Sequence, residues 1–125
     1  MKSLIVASVL AFASGTAAAQ SASAIERCHG MQSTAEMVDC LGKVGVDADR
    51  HLNAAYQAAL KGIDPRGTQA MRESERAWLE YRNKRCASIS SGDGTITRVI
   101  AADCMVQMTK ARADELDEDA KGLGH

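Results

Sequence analysis

The sequence has few aromatic residues and almost no proline. Aromatic side chains make up 3% of the 125 residues, and there is one proline. Beyond the N-terminal apolar run, the aromatic residues are Tyr56, Trp78 and Tyr81. A domain of this size with so little aromatic volume buries a small core and should need covalent help to stay folded.

The sequence also lacks a large net charge of either sign. The formal net charge is −1 at pH 7, so the chain lacks the positive field that attracts nucleic acid or an anionic membrane surface. No apolar run of the roughly 20 residues that span a bilayer is present, which argues against stable membrane insertion. We therefore expect neither nucleic acid nor lipid as a partner, and any charged partner must be bound by a local patch.

Residues 1–19 have the layout of a secretory signal peptide. Lys2 precedes the apolar run "LIVASVLAFA", and small residues follow in "TAAA". A positive start, an apolar middle and a small-residue end are typical of such segments. The sequence predicts cleavage near Ala19–Gln20, a periplasmic or secreted mature protein, and a flexible leader over residues 20–27.

The four cysteines indicate a disulfide framework. They are Cys28, Cys40, Cys86 and Cys104. An even number of cysteines in a small exported chain is typical of disulfide scaffolds. Zinc sites generally contain closely spaced pairs such as Cys-x-x-Cys, and the chain has none, so we expect no metal centre built on these thiols.

Apolar residues recur at helical spacing through most of the chain. Ser33 and Glu36 form a capping-box pattern at the start of a long helix, which should end near "KGIDPRG". A second helix is predicted from about Thr68 to about Ala87 and a third from Thr95, separated by the loop "SISSGDG". The predicted inner line of the second helix is Met71, Ser74, Trp78, Tyr81 and Arg85.

These elements predict an all-α fold. We expect a small disulfide-stapled helical bundle, with a long antiparallel helical hairpin plus a third helix. The domain should cover residues 28–121 and leave a tail over residues 122–125.

The cysteine pairing can be estimated from helix register. Cys40 lies 24 residues before Asp64, and Cys86 lies 22 residues after it. In an antiparallel pair these positions reach nearly the same height. The preferred pairing is therefore Cys40–Cys86 with Cys28–Cys104. The alternative, Cys28–Cys86 with Cys40–Cys104, requires the first long helix to bend.

The sequence argues against an enzyme. The histidines are His29, His51 and His125, and none belongs to a motif that supplies a nucleophile, a base and an orienting group. We therefore expect no catalytic residues and no cofactor.

Several segments together resemble the LprI-like lysozyme-inhibitor family of small exported bacterial proteins. The segments are "STAEMVDC", "LNAAYQAAL", "RESERAWLEYRNKRC", "SSGDGT" and "DCMVQMTKARADELDE". The resemblance runs from about Cys28 to Leu116 and implies that the four cysteines form disulfides. It also implies that six positions belong to the family pattern: Tyr56, Trp78, Tyr81, Arg82, Arg112 and Leu116.

The resemblance implies binding and inhibition of lysozyme or a related basic envelope-directed protein. The sequence offers an acidic run as a speculative contact: Asp114, Glu115, Asp117, Glu118 and Asp119. The alternative function is a structural or protein-interaction module of the cell envelope with no lysozyme target. A weaker alternative is a small-ligand groove lined by Met105 and Met108.

Overall fold

The fold of this chain is entirely helical over the residues that can be described. The computed structural model describes the backbone of residues 17–122 and the side chains of residues 23–122. The helices are α1 (Ala17–His29), α2 (Thr34–Leu60), α3 (Pro65–Ser90) and α4 (Ile96–Ala120). The all-α prediction is confirmed. The predicted signal peptide lies almost wholly outside the described residues, as does nearly all of the predicted tail.

Local side-chain caps fix the starts of α2 and α3. The Ser33 hydroxyl accepts the Glu36 N–H at 3.2 Å, and the Glu36 carboxylate accepts the Ser33 N–H at 3.0 Å. The predicted capping box is therefore confirmed. Asp64 caps α3 by accepting the Gly67 N–H at 2.8 Å. With Pro65 in its first turn, α3 begins three residues before its predicted start.

Helix α1 replaces the predicted flexible leader, which is a correction. Residues 20–27 are helical, and Ile25 is buried. Ile25 and Cys28 stand three residues apart, so they share one face of α1. That face packs in the same cluster as Leu41 and Val99. Burial of this short apolar edge explains why the segment is ordered despite its small, polar composition.

Helices α2, α3 and α4 run up, down and up. Gly45 faces Val106, and His51 faces Asp117, so α2 and α4 are parallel. Helix α3 connects opposite ends of these two helices and is antiparallel to both. Helix α4 packs most extensively on α2 and then on α3, whereas the backbones of α2 and α3 barely contact each other. The hairpin formed by α2 and α3 is therefore splayed around α4.

Two clusters of buried apolar residues lie along the bundle. The cluster near α1 contains Ile25, Cys28, Leu41, Val99 and Val106. The cluster near the α2–α3 turn contains Leu52, Ala55, Ala59, Ala113 and Leu116. The alanines allow α2 and α4 to lie close together, so the small aromatic volume of the sequence is sufficient. No helix in the described range is long and apolar enough to cross a bilayer.

The disulfides join Cys28 to Cys40 and Cys86 to Cys104, with Cα–Cα distances of 5.3 and 5.7 Å. The preferred pairing, Cys40–Cys86 with Cys28–Cys104, is therefore wrong. The alternative, Cys28–Cys86 with Cys40–Cys104, is wrong as well. Equal height along α2 and α3 does not bring two cysteines together, because these helices pack on α4 rather than on each other. Each bond instead links one helix to the next across a short loop.

The inner face of α3 also differs from the prediction. It is formed by Met71, Glu75, Trp78, Arg82 and Cys86. Ser74, Tyr81 and Arg85, which were predicted to point inward, are exposed. The predicted line includes Arg85 and leaves out Glu75 and Arg82, and charged side chains are rarely buried without a partner. Both are instead buried, and their charges are compensated by partners.

Candidate functional site

The centre of the bundle contains a tryptophan flanked by two arginines. The guanidinium carbon of Arg82 lies 5.3 Å from the Trp78 ring centroid, and that of Arg112 lies 5.9 Å from it. Both distances are within the range of cation–π attraction. Each arginine is only 8% exposed. Two cations are therefore held inside a domain that has little apolar volume.

Arg112 is neutralised by two carboxylates. Its guanidinium donates to Glu75 at 2.9 Å and lies 2.9 Å from Glu115. Burial lowers the pKa of Arg112, but hydrogen bonds to Glu115 and Glu75 outweigh it, so the net pKa shift is upward. Arg112 therefore stays charged and ties α4 to α3 through a buried ion pair.

Arg82 connects the three long helices. It donates to Asp49 on α2 at 3.1 Å and to the Thr109 hydroxyl on α4 at 3.0 Å. It also donates to its neighbour Asn83 at 3.1 Å. Asp49 is half-exposed, so only one end of this pair is buried. Arg82 of α3 therefore links α2 and α4 through side-chain hydrogen bonds.

Most of the predicted pattern positions converge on this centre. Trp78 and Tyr56 pack against the same apolar cluster, and the buried Leu116 is part of it. Tyr81 is the exception, because its side chain is 56% exposed. We infer that the converging positions form a framework rather than a reactive centre.

Sequence reasoning did not find three polar members of this centre: Glu75, Asp49 and Thr109. For Glu75 a signal existed. Counting back from the buried Cys86 at helical spacing leads through Arg82 and Trp78 to position 75. For Asp49 and Thr109 no local signal distinguished them from the other polar residues of their helices.

Two neighbouring cavities lie along α4 towards the disulfide end of the bundle. One cavity of about 310 Å³ is lined by α3 and α4, and a second of about 300 Å³ is lined by α2 and α4. Ala102 and Met105 of α4 line both cavities. Met108, predicted to line the same groove, instead lies against the Cys86–Cys104 disulfide, 3.7 and 3.9 Å from the two sulfurs.

The predicted acidic run divides between two faces of α4. Asp114, Asp117 and Glu118 are spaced to share one face, which we call the acidic edge. Glu115 and Asp119 stand on another face, and Glu115 is occupied by the internal Arg112. The prediction of a single patch of five carboxylates is therefore narrowed to three.

The acidic edge is only partly neutralised. Asp117 lies 2.7 Å from the His51 imidazole, and Glu118 lies 2.8 Å from Lys121. The hydrogen bond to Glu118 raises the pKa of Lys121, and the charges of Asp117 and Asp114 raise it further. Asp114 itself forms no ion pair with any residue of the described range, and it is exposed.

Two histidine–carboxylate pairs lie on the surface. His29 is 3.4 Å from Asp103, and His51 is 2.7 Å from Asp117. All four cysteines are in disulfides, so the chain has no free thiol. Within the described residues, His51, Asp114 and Asp117 form a group whose ligand-type atoms all lie within 4.8 Å of one another.

These features define a class of protein: a small helical bundle stapled by two disulfides, with a buried arginine–tryptophan centre and an acidic surface edge. The chain belongs to the lysozyme inhibitor LprI family, whose sequence profile matches residues 24–116. The matched range begins in α1 and ends at Leu116 in α4, so it includes every pattern position. No curated protein and no solved structure matches the chain.

Proposed function

We propose that this protein binds lysozyme, or a related basic hydrolase that attacks the cell envelope, and inhibits it by contact rather than by catalysis. The observation that carries the proposal is the match to the lysozyme inhibitor LprI family over residues 24–116. The match runs from within α1 to Leu116 in α4 and includes both disulfides, whereas Asp117 and Glu118 lie just beyond it.

The acidic edge is the surface that we propose for the contact. Asp114 and Glu118 are exposed, and Asp117 is half-exposed. Carboxylates grouped on one face of a rigid helix attract a cationic partner over a distance and help to orient it on arrival. The Arg112–Glu75 pair fixes α4 against α3.

Export is part of the same proposal. Cleavage between Ala19 and Gln20 would leave Ile25 and Cys28 in the mature chain, which keeps the buried edge of α1 and both disulfides. Disulfides persist in oxidising compartments outside the cytoplasm. A periplasmic or secreted location therefore agrees with the covalent structure.

Lysis of a cell-wall suspension by lysozyme tests the proposal. The exported protein, with both disulfides formed, should slow lysis at micromolar concentration or below. The double variant D114N/E118Q should weaken inhibition by about 3- to 10-fold at low ionic strength, and by less at high salt, because exposed charges act mainly on association.

The matched control is D39N/D47N, which removes two exposed carboxylates from α2 and changes the net charge equally. Inhibition should be unaffected by it. Equal effects of the two double variants would show that net charge, not the acidic edge, matters.

Full lysis at a large molar excess of the unmodified protein would reject inhibition of that lysozyme. Affinity capture from the extracytoplasmic fraction then distinguishes the remaining options. A cell-wall hydrolase among the bound proteins favours an inhibitor with another target, and its absence favours an interaction module of the envelope.

A further inference from the structure

A second feature of the bundle involves His51, which neither the buried centre nor the disulfide framework uses. His51 projects from α2 towards two carboxylates of α4, Asp114 and Asp117. The imidazole nitrogen lies 2.7 Å from the nearer Asp117 oxygen, and all three potential ligand atoms lie within 4.8 Å of one another. One nitrogen and two oxygens from two helices thus converge on one point of the surface.

The spacing of these atoms suits a small divalent cation. Zinc binds histidine nitrogen and carboxylate oxygen at about 2.0–2.2 Å in tetrahedral sites, which places neighbouring ligands about 3.4 Å apart. The His51–Asp117 separation is 2.7 Å and no pair of the three ligand atoms is more than 4.8 Å apart, so small side-chain adjustments reach that value. Asp114 and Asp117 are at i and i+3 on α4, so both carboxylates can face the same ion without any change in the backbone.

The mixture of ligands selects the class of cation. Calcium and magnesium prefer six or more oxygen ligands, whereas an imidazole nitrogen favours zinc and its neighbours among the transition metals. The charges of Asp117 and Asp114 act on Lys121, but its ammonium group lies 2.8 Å from Glu118, which is not a member of this group. A metal ion would therefore meet a carboxylate, Asp114, that has no ion-pair partner among the described residues.

We propose that His51, Asp114 and Asp117 bind one zinc ion, with water completing the coordination. The ion would link α2 to α4 in the half of the bundle that has no disulfide, since both sulfur bridges lie at the opposite end. It would act as a reversible cross-link. The inference goes beyond lysozyme binding and holds whether or not that activity is found.

Calorimetric titration of the untagged, oxidised protein with zinc chloride near neutral pH tests the proposal. One zinc ion should bind per chain. At a tenfold excess of free zinc over the dissociation constant, the melting temperature should rise by about 5–10 °C, since a ligand that binds only the folded state stabilises it. Magnesium chloride at the same concentration should cause no comparable rise.

The variants H51Q and D114N should each weaken zinc binding by about tenfold or more, because each removes a ligand. D114N is the safer variant for folding, since Asp114 is exposed and forms no ion pair with any residue that the structure describes. The control H29Q removes the other described histidine, which pairs with Asp103 far from the site along α4. Its zinc affinity should equal that of the parent.

Binding that is unchanged in both H51Q and D114N would overturn the proposal, and so would the absence of any zinc binding by the parent protein. An equal loss of zinc affinity in H29Q would also overturn it, because zinc binding would then depend on a histidine that lies away from Asp114 and Asp117. The binding titration does not depend on inhibition, so failure of either idea can be recognised separately.

Discussion

At the scale of single residues, the distinguishing feature of this small domain is that it buries charged side chains. Arg112 and Glu75 are each less than 10% exposed. Burying two ions costs several kcal/mol of hydration each, and their mutual attraction compensates only when the geometry is good. Here the guanidinium donates through both its Nε and Nη2 groups to one carboxylate. Removing one partner should therefore cost much more than breaking an exposed pair.

The substitution E75A should lower the free energy of unfolding by about 3 kcal/mol. The reason is that Arg112 would keep its charge in a buried position and retain only the exposed Glu115 as a partner. Chemical denaturation followed by the fluorescence of Trp78, the single tryptophan, measures this directly.

The matched comparison is E80A, which breaks the exposed pair between Glu80 and Lys84. That pair should contribute no more than about 0.5 kcal/mol. If the free energy of unfolding falls by the same small amount in both variants, the buried pair contributes no more to stability than the exposed pair.

The residue scale also shows why sequence reasoning misplaced Tyr81. Because aromatic residues are scarce here, the predicted inner line of α3 includes Trp78 and Tyr81, and it does not include Arg82. The structure reverses them: Tyr81 is 56% exposed and Arg82 is 8% exposed. Burial of Arg82 depends on partners supplied by α2 and α4. These residues are distant in sequence, so no pattern near position 82 predicts the burial.

At the scale of helices, the features set by neighbouring residues were predictable. The capping box of Ser33 and Glu36 is complete within four residues, so its pattern specifies its geometry. The order of α1 could not be predicted in this way, because it depends on Ile25 packing in a cluster with Leu41 and Val99. The pairing of the cysteines likewise required knowing that α4 separates α2 from α3.

Glycines in α2 give a test at this scale. Gly42 lies within α2, and a Cβ atom added there would meet nothing within 4 Å. Because alanine favours the helix over glycine, G42A should stabilise the protein by about 0.5–1 kcal/mol and raise its melting temperature by several degrees. Thermal unfolding monitored by circular dichroism measures the change.

At Gly94, in the loop between α3 and α4, substitution by alanine is expected to destabilise the protein. Its φ angle is +97°, a conformation that side chains with a Cβ rarely adopt. G94A should therefore destabilise the protein by about 1 kcal/mol or more. A gain of stability in G94A, or a loss of stability in G42A, would contradict this interpretation of the backbone conformation at the two positions.

At the scale of the whole molecule, the two disulfides divide the chain into separate covalent loops. Their cysteines are 12 and 18 residues apart in sequence. In the chain-entropy view, closing loops of this length contributes about 3 kcal/mol each. Neither bond spans the α2–α3 turn, so the halves of the molecule on either side of Asp64 are held together by that turn, by apolar packing and by polar contacts such as Arg82–Asp49.

Peptide mapping without reduction tests this connectivity. Cleavage after lysine and arginine yields a peptide over residues 28–43 that contains both Cys28 and Cys40. It should appear alone, closed by an internal disulfide. The peptide over residues 86–98 should appear joined to that over residues 99–110 by the Cys86–Cys104 bond. Both rejected pairings would instead attach the 28–43 peptide to the other two.

The same arrangement determines how the molecule would carry mechanical load. Tension applied at the two ends would pass through sulfur from Cys28 to Cys40 and from Cys86 to Cys104, leaving both bridged loops slack. Between the outer cysteines, only the stretch from Cys40 to Cys86, with its turn at Asp64, would bear the pull. Extension of that stretch would therefore separate the two covalent halves, while each bridged loop kept its ends together.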